Sequence, residues 1–300
     1  MPVSEERFAT LPSGIRLCYQ TFGDPGAEPL LLAMGLGGPM TWWHPALCTA
    51  LADAGFFVIR YDNRDTGRSS RGQGRVTRSM LARAFLAPPT TRVRRPPYTL
   101  DDLAEDAVGL LDHLEVDAAH VVGVSMGGMI AQTVALLHPA RVRSLTSIMS
   151  TTGRRVVGWQ DPRLLPLVMA RSETGRDAYV AGSARLWRLI GSPGFPEDRA
   201  DVDRRAGETW DRGVSAAGVA RQTLAILAQP DRSRRLRRLT VPTLVIHGTA
   251  DKMVHVSGGR ATARAVPGAE LVLVPGMGHD LPVELHGLFV DAIRRVADRA

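Results

Sequence analysis

The run HVVGVSMGGMIAQ, residues 120–132, sets Ser125 between Gly123 and Gly127, two positions away on either side. A β-rich stretch precedes the serine and good helix formers follow it. On a tight strand-to-helix turn a serine is held in strained backbone geometry with its hydroxyl projecting from the turn. Neighbouring segments then pass so closely that only glycine fits the flanking positions. The helix start also aims N–H groups and positive dipole at charge developing beside the serine. The chemistry this arrangement serves is nucleophilic attack by Ser125. The plainer alternative is a serine in an ordinary βα turn. Ser215, in Gly213-Val214-Ser215-Ala216-Ala217-Gly218, lacks both the glycine spacing and a preceding strand.

A hydroxyl becomes a nucleophile only beside a base, and the base needs an acid to orient it. Among eight histidines, His279 lies in Pro275-Gly276-Met277-Gly278-His279-Asp280, a flexible turn beyond a candidate strand. His113, His120 and His138 sit in or beside regular elements and read as packing or surface residues. Asp251 follows another candidate strand through Gly248-Thr249-Ala250 and is the expected acid. Asp280 would require its neighbour His279 to fold back on it, and Asp231 falls in an inserted segment. Ser125, Asp251 and His279 thus follow one another along the chain, each just past a strand. His247, Asp251 and His255 are spaced by fours, as helical metal ligands can be. Gly248 breaks that spacing, so no metal is expected there.

Strand-like runs at 15–22, 30–34, 57–61, 120–124, 144–149, 243–247 and 271–274 alternate with helical patterns at 46–54, 100–114 and 129–138. Such alternation predicts an α/β fold with a mostly parallel sheet and helices on both faces. The turn near residues 11–14 predicts an antiparallel hairpin at one edge. Residues 71–98 are rich in Arg, Pro and Thr and predict a long excursion. Residues 153–235 show helical but no strand periodicity, with a break at Gly191, Pro193, Gly194 and Pro196. The expected organisation is a core of residues 1–152 and 236–300 with a helical cap inserted at 153–235.

Composition bounds the rest. Three hundred residues suit one large domain with an insertion, and no apolar run approaches the length of a membrane span. The polar, acidic N-terminus does not read as a signal peptide, and two cysteines supply no disulfide framework. A cytoplasmic protein without stable membrane insertion is expected. The net charge of +7 comes almost wholly from arginine, since Lys252 is the only lysine. The clusters Arg92-Val93-Arg94-Arg95 and Arg232-Ser233-Arg234-Arg235-Leu236-Arg237-Arg238 raise nucleic acid as a partner, but no RNA-binding aromatic motif or zinc-finger spacing accompanies them. They read as solvated faces, and no nucleic-acid partner is expected.

The glycine-rich turn AMGLGGPM, residues 33–40, lacks G-x-G-x-x-G because Met40 stands at the last glycine position, and it has no Walker lysine. It is therefore not a nucleotide loop.

Together the blocks LLAMGLGG, IRYDNRDTGRSS, VVGVSMGGMIAQ, PTLVIHGTAD and VPGMGHDLP resemble the α/β-hydrolase superfamily, over almost the whole core. Within it the chain is similar to bacterial serine carboxylesterases related to aclacinomycin methylesterase. The resemblance implies an α/β-hydrolase fold, a Ser125 nucleophile, an Asp251 acid and a His279 base, with no cofactor. It implies oxyanion donors at the backbone N–H groups of Leu36 and Met126, and makes residues 61–69 mainly a structural turn. Many relatives carry His-Gly where this chain has Met34-Gly35, which leaves open what braces the loop. Nothing carries over to the cap. There Trp187 and Trp210, together with Trp42 and Trp43 after the glycine-rich turn, are candidates to line a substrate pocket. Met169, Tyr179, Leu186 and Phe195 belong to the same set, and each is equally a candidate for the cap's own core. The expected partner is a moderately large apolar ester. A perhydrolase or haloperoxidase, a thioesterase and a C–C bond hydrolase share the implied triad, and a non-catalytic binding protein is the alternative of another class.

Overall fold

A computed structural model describes residues 2–86, 96–164 and 175–300. The Arg92–Arg95 cluster and Met169 lie outside those residues. Among the described residues eight strands form one sheet: β1 (Arg7–Thr10), β2 (Arg16–Phe22), β3 (Glu28–Ala33), β4 (Phe56–Tyr61), β5 (Ala119–Val124), β6 (Val142–Ile148), β7 (Thr243–Gly248) and β8 (Glu270–Val274). Their order is β1-β2-β4-β3-β5-β6-β7-β8. From β4 to β8 every neighbouring pair is parallel, while β1 pairs antiparallel with β2 and β2 with β4. The edge hairpin turns where Gly14 takes φ +82.

The sequence dictates which strands sit centrally. All residues of β4, β5 and β7 are buried, as expected of runs covered on both faces. Alternate side chains of β3 part to the two faces. Leu31 and Ala33 pack with Leu103, Leu110 and Leu111 of α3 (Leu100–His113) and with Ile130 and Val134 of α4 (Met126–Leu137). Leu30 and Leu32 pack with Leu47 and Leu51 of α1 (Pro45–Asp53) and with Phe289 and Ile293 of the C-terminal helix His286–Ala297. Each fully buried leucine contributes about 1.5–3 kcal/mol relative to exposure, so these two layers supply the force that flattens the chain onto the sheet. Thr99 caps α3 in a capping box with Asp102, and Pro45 opens α1.

Helix α4 begins at Met126, three residues earlier than its apolar pattern predicts, because Gly127 and Gly128 mimic a turn in sequence while serving as close-packing positions in the helix. The excursion at 71–98 contains α2 (Arg78–Leu86). Between β6 and β7 lie α5 (Arg176–Ile190), α6 (Arg199–Gly213), α7 (Ala216–Ala228) and the short α8 (Ser233–Leu236), with no strand among the described residues. The predicted glycine–proline break separates α5 from α6. Helix α2 packs against α7, so the excursion joins the helical segment. Helices α9 (Ser257–Ala265) and α10 (His286–Ala297) complete the core.

The basic cluster at 232–238 is not uniformly a solvated face. Arg232 is buried, with Nε donating to Gln132 Oε1 at 3.2 Å and Nη2 to the Thr151 carbonyl at 2.9 Å. It is a structural tie between the helical segment and the core. Among the described residues no helix is long and apolar enough to cross a membrane.

Candidate active site

Ser125 stands where β5 ends and α4 begins, at φ +57 and ψ −117. A non-glycine residue in this region is strained by about 1–3 kcal/mol and persists only when its surroundings hold it. They do so here. The Ser125 amide donates to the Ile148 carbonyl at 2.9 Å, and its own carbonyl accepts from Ser150 Oγ at 2.7 Å. A Cβ on Gly123 would overlap the Gly127 carbonyl, and one on Gly127 would overlap the Ala33 carbonyl. The two glycines of G-x-S-x-G are therefore required by backbone-to-backbone contact.

Two loops at the carboxyl edge of the sheet bring the other polar groups in. His279 Nε2 lies 3.0 Å from Ser125 Oγ, and His279 Nδ1 lies 2.8 Å from Asp251 Oδ2. The other Asp251 oxygen accepts the backbone N–H groups of Met253 and Val254, each at 2.8 Å. His247 Nε2 is 3.4 Å from Asp251 and donates to the Val254 carbonyl at 2.8 Å. Burial by itself would raise the Asp251 carboxyl, but the charge of His279 and hydrogen bonds from His247 and His279 outweigh it, holding the carboxyl well below the ordinary carboxylate range. Asp280 goes the other way: burial pushes its carboxyl up, against hydrogen bonds from Ser192. The two carboxyls near His279 are thus shifted in opposite directions, and the one bonded to the imidazole is the one whose charged form is favoured. His255, proposed in sequence only as part of a spacing, stacks on Trp159 instead. His120 and His138 bond to Ser144 and Glu105, away from this cluster.

The glycine-rich turn lies against the serine. A Cβ on Gly35 would stand 3.2 Å from Ser125 Cβ. The next amide, that of Leu36, donates to no protein acceptor among the described residues. Met126 is the first residue of α4, where N–H groups have no carbonyl four residues back. Met34 itself is buried in the core beneath the loop. The loop is braced by the turn at residues 61–69 and by α7. Asn63 Nδ2 donates to the Met34 carbonyl at 3.0 Å, and Asp62 Oδ1 accepts the Met40 amide at 2.7 Å. Gln222 of α7 accepts the Gly37 amide at 2.8 Å and donates to Thr66 Oγ1 at 3.0 Å. Nothing in sequence marks Gln222, which lies 185 positions from its partner.

The same turn anchors the helical segment. Arg212 of α6 binds Asp62 at 2.8 Å, and Arg221 of α7 binds Asp65 at 2.6 Å, with both carboxylates fully buried.

A model of the α/β-hydrolase fold matches residues 28–284. The chain belongs to that family. The hydrolase is 31% identical to rhodomycin D methylesterase of Streptomyces peucetius, covering 93% of this chain and 94% of that one. It is 28% identical to 3-oxoadipate enol-lactonase 2 of Acinetobacter baylyi, over 100% and 99% of the two chains. Among solved structures it matches a hydrolase from Pseudomonas aeruginosa with a TM-score of 0.74 and 27% identity, covering 97% of each chain.

Above Ser125 and His279 lies a cavity of about 2330 Å³, partly open to solvent, between the sheet edge, α2 and the helical segment. Leu36, Trp42, Tyr179, Leu186, Trp187 and Phe195 are among its lining residues. Trp42 and Trp187 meet edge to face with centroids 5.3 Å apart, and Trp42 Nε1 donates to Thr209 at 2.9 Å. Two expected pocket residues are placed elsewhere. Trp43 is fully buried in the core with Leu47 and Phe289, because the short turn at Met40–Trp42 sends consecutive side chains in different directions. Trp210 packs behind Tyr179, at a centroid distance of 5.5 Å, rather than lining the space.

Proposed function

We propose that the protein hydrolyses carboxylic esters through an acyl-enzyme, with Ser125 as nucleophile, His279 as general base and acid, and Asp251 as its orienting carboxylate. The unbroken hydrogen-bond chain from Ser125 Oγ through His279 to Asp251, at the floor of the cavity, carries this reading. As Ser125 Oγ attacks the ester carbonyl, its proton passes to His279 Nε2 and the carbonyl π pair moves onto oxygen. Asp251 stabilises the resulting imidazolium through Nδ1. The amides of Leu36 and Met126 receive the oxyanion, each worth about 3 kcal/mol in the transition state. Collapse expels the alcohol, which takes the proton from His279. Water, deprotonated by the same nitrogen, then releases the acid and restores Ser125.

The favoured substrate is a methyl ester of a moderately large, largely apolar molecule. The named activity of the 31% identical relative supports the methyl ester. The partly open cavity of about 2330 Å³ leaves room for such a molecule, since sites for drug-sized ligands span roughly 300–1,000 Å³. Residues 153–235 act in this reading as the cap that shapes the site.

Fluorophosphonate labelling with peptide mass spectrometry tests the nucleophile. Modification at Ser125, abolished in Ser125→Ala, is expected; labelling elsewhere in active protein overturns the assignment. A panel varying acyl and alcohol groups separately, with a lactone and a thioester included, tests the bond type.

A further inference from the structure

The turn joining α5 to α6 is knitted to the loop that carries His279. The His279 amide donates to the Ile190 carbonyl at 2.7 Å, at the end of α5. The Gly194 amide donates to the Gly276 carbonyl at 2.9 Å. Gly278 donates its amide to Ser192 Oγ at 2.8 Å, and that hydroxyl donates in turn to Asp280 Oδ1. The Ser192 amide donates to the other Asp280 oxygen at 3.2 Å. The two strips of backbone lie so close that a Cβ on Gly278 would overlap the Gly191 carbonyl. Ser192 is only 5% exposed. The residue before His279, the residue after it and the His279 amide itself are thus all bonded to the helical segment.

This arrangement matters because a hydrogen bond at Nδ1 alone leaves an imidazole free to pivot about that contact. The second fixed point must be the backbone. Here the backbone contains Gly276, at φ +75, and Gly278, and has little stiffness of its own. We propose that Ser192 and Asp280 are positioning residues: by holding Gly278 and the His279 backbone against the end of α5, they set the imidazole at its distance from Ser125. The helical segment then aligns the base as well as lining the cavity. This rests on the roles of Ser125 and His279 given under Proposed function.

The test follows the rate of Ser125 modification by a fluorophosphonate, by intact-mass spectrometry, alongside p-nitrophenyl acetate turnover and thermal unfolding. Ser192→Ala and Asp280→Asn are expected to slow labelling by on the order of 10- to 100-fold, the scale of sub-ångström to ångström misplacement. Both should lower kcat by a similar factor with KM changed by less than about twofold. Because both act through one link, the double variant should be no slower than the more affected single one. Ser192→Thr, which keeps the hydroxyl, should recover most of the rate. Arg176→Ala, which removes the exposed 2.9 Å pair with Asp211 between α5 and α6, should label as wild type. Wild-type labelling rates in folded Ser192→Ala and Asp280→Asn overturn the proposal, even if their melting points fall. Equal slowing by Arg176→Ala also overturns it, since general loosening of the helices would then suffice. Failure of the wild type to label at Ser125 strikes the proposed function itself, a distinct result.

Discussion

Three side chains far apart in sequence converge on one line of hydrogen bonds, and their environments differ. Asp251 accepts two backbone N–H groups on one oxygen and the imidazole on the other. An asparagine there can present its NH₂ to Nδ1 and favour the tautomer in which Nε2 carries the proton, unable to accept one from Ser125. Asp251→Asn is therefore expected to lower kcat by on the order of 10⁴-fold with little change in KM, in steady-state ester hydrolysis. His120 illustrates titration without chemistry. Burial pushes its imidazole from 6.5 down to about 4, against the opposing charge of Glu28. Between those values the unfolded chain binds a proton that the folded chain does not, so stability falls as pH drops from 6.5 toward 4. Urea denaturation at pH 7 and pH 5 should show a smaller loss for His120→Gln than for the wild type.

The elements meet through the turn at residues 62–66, which braces the glycine-rich loop on one side and receives two arginines from the helical segment on the other. Removing one partner of a buried ion pair leaves the other charge without compensation, at a cost of about 3–5 kcal/mol. Arg221→Ala strands Asp65, though Tyr98 and Gly72 still donate to it. A loss of about 3 kcal/mol, at the lower end of that range, is expected by chemical denaturation. Replacing Lys for Arg would not restore the bond, since Nε and Nη2 both engage the carboxylate.

At the scale of the molecule, the sheet edge supplies the groups proposed to react and the helices line the space above them. The Trp42–Trp187 pair forms part of that wall, with Arg205 centred 4.8 Å over the Trp187 ring. Trp187→Ala is expected to raise KM for bulky aromatic esters about tenfold, the worth of roughly 1.4 kcal/mol of lost contact. Its kcat/KM for methyl acetate should stay within about twofold, because neither the acetyl nor the methyl group offers ring area for the tryptophan to contact. Equal losses on both esters would mean that the tryptophan acts on the chemistry or the fold instead.

Local sterics and periodicity made much of this legible in sequence. Apolar runs such as 57–61 and 120–124 read as strands, which the fold covers on both faces, and G-x-S-x-G read as a tight strand-to-helix turn, where Gly123 and Gly127 prove to touch other backbone. The order Ser125, Asp251, His279 was readable because each follows a strand, and parallel strands deliver their ends to one edge. Contacts made at long range were not readable. Trp42 and Trp43 are equivalent in composition, yet one lines the cavity and the other fills the core. The Gln222 brace and the Ser192–Asp280 link depend on how the helices settle on the sheet. Sequence carries the pattern that decides which face of an element is buried; only the packed chain decides which partner each buried polar group finds there.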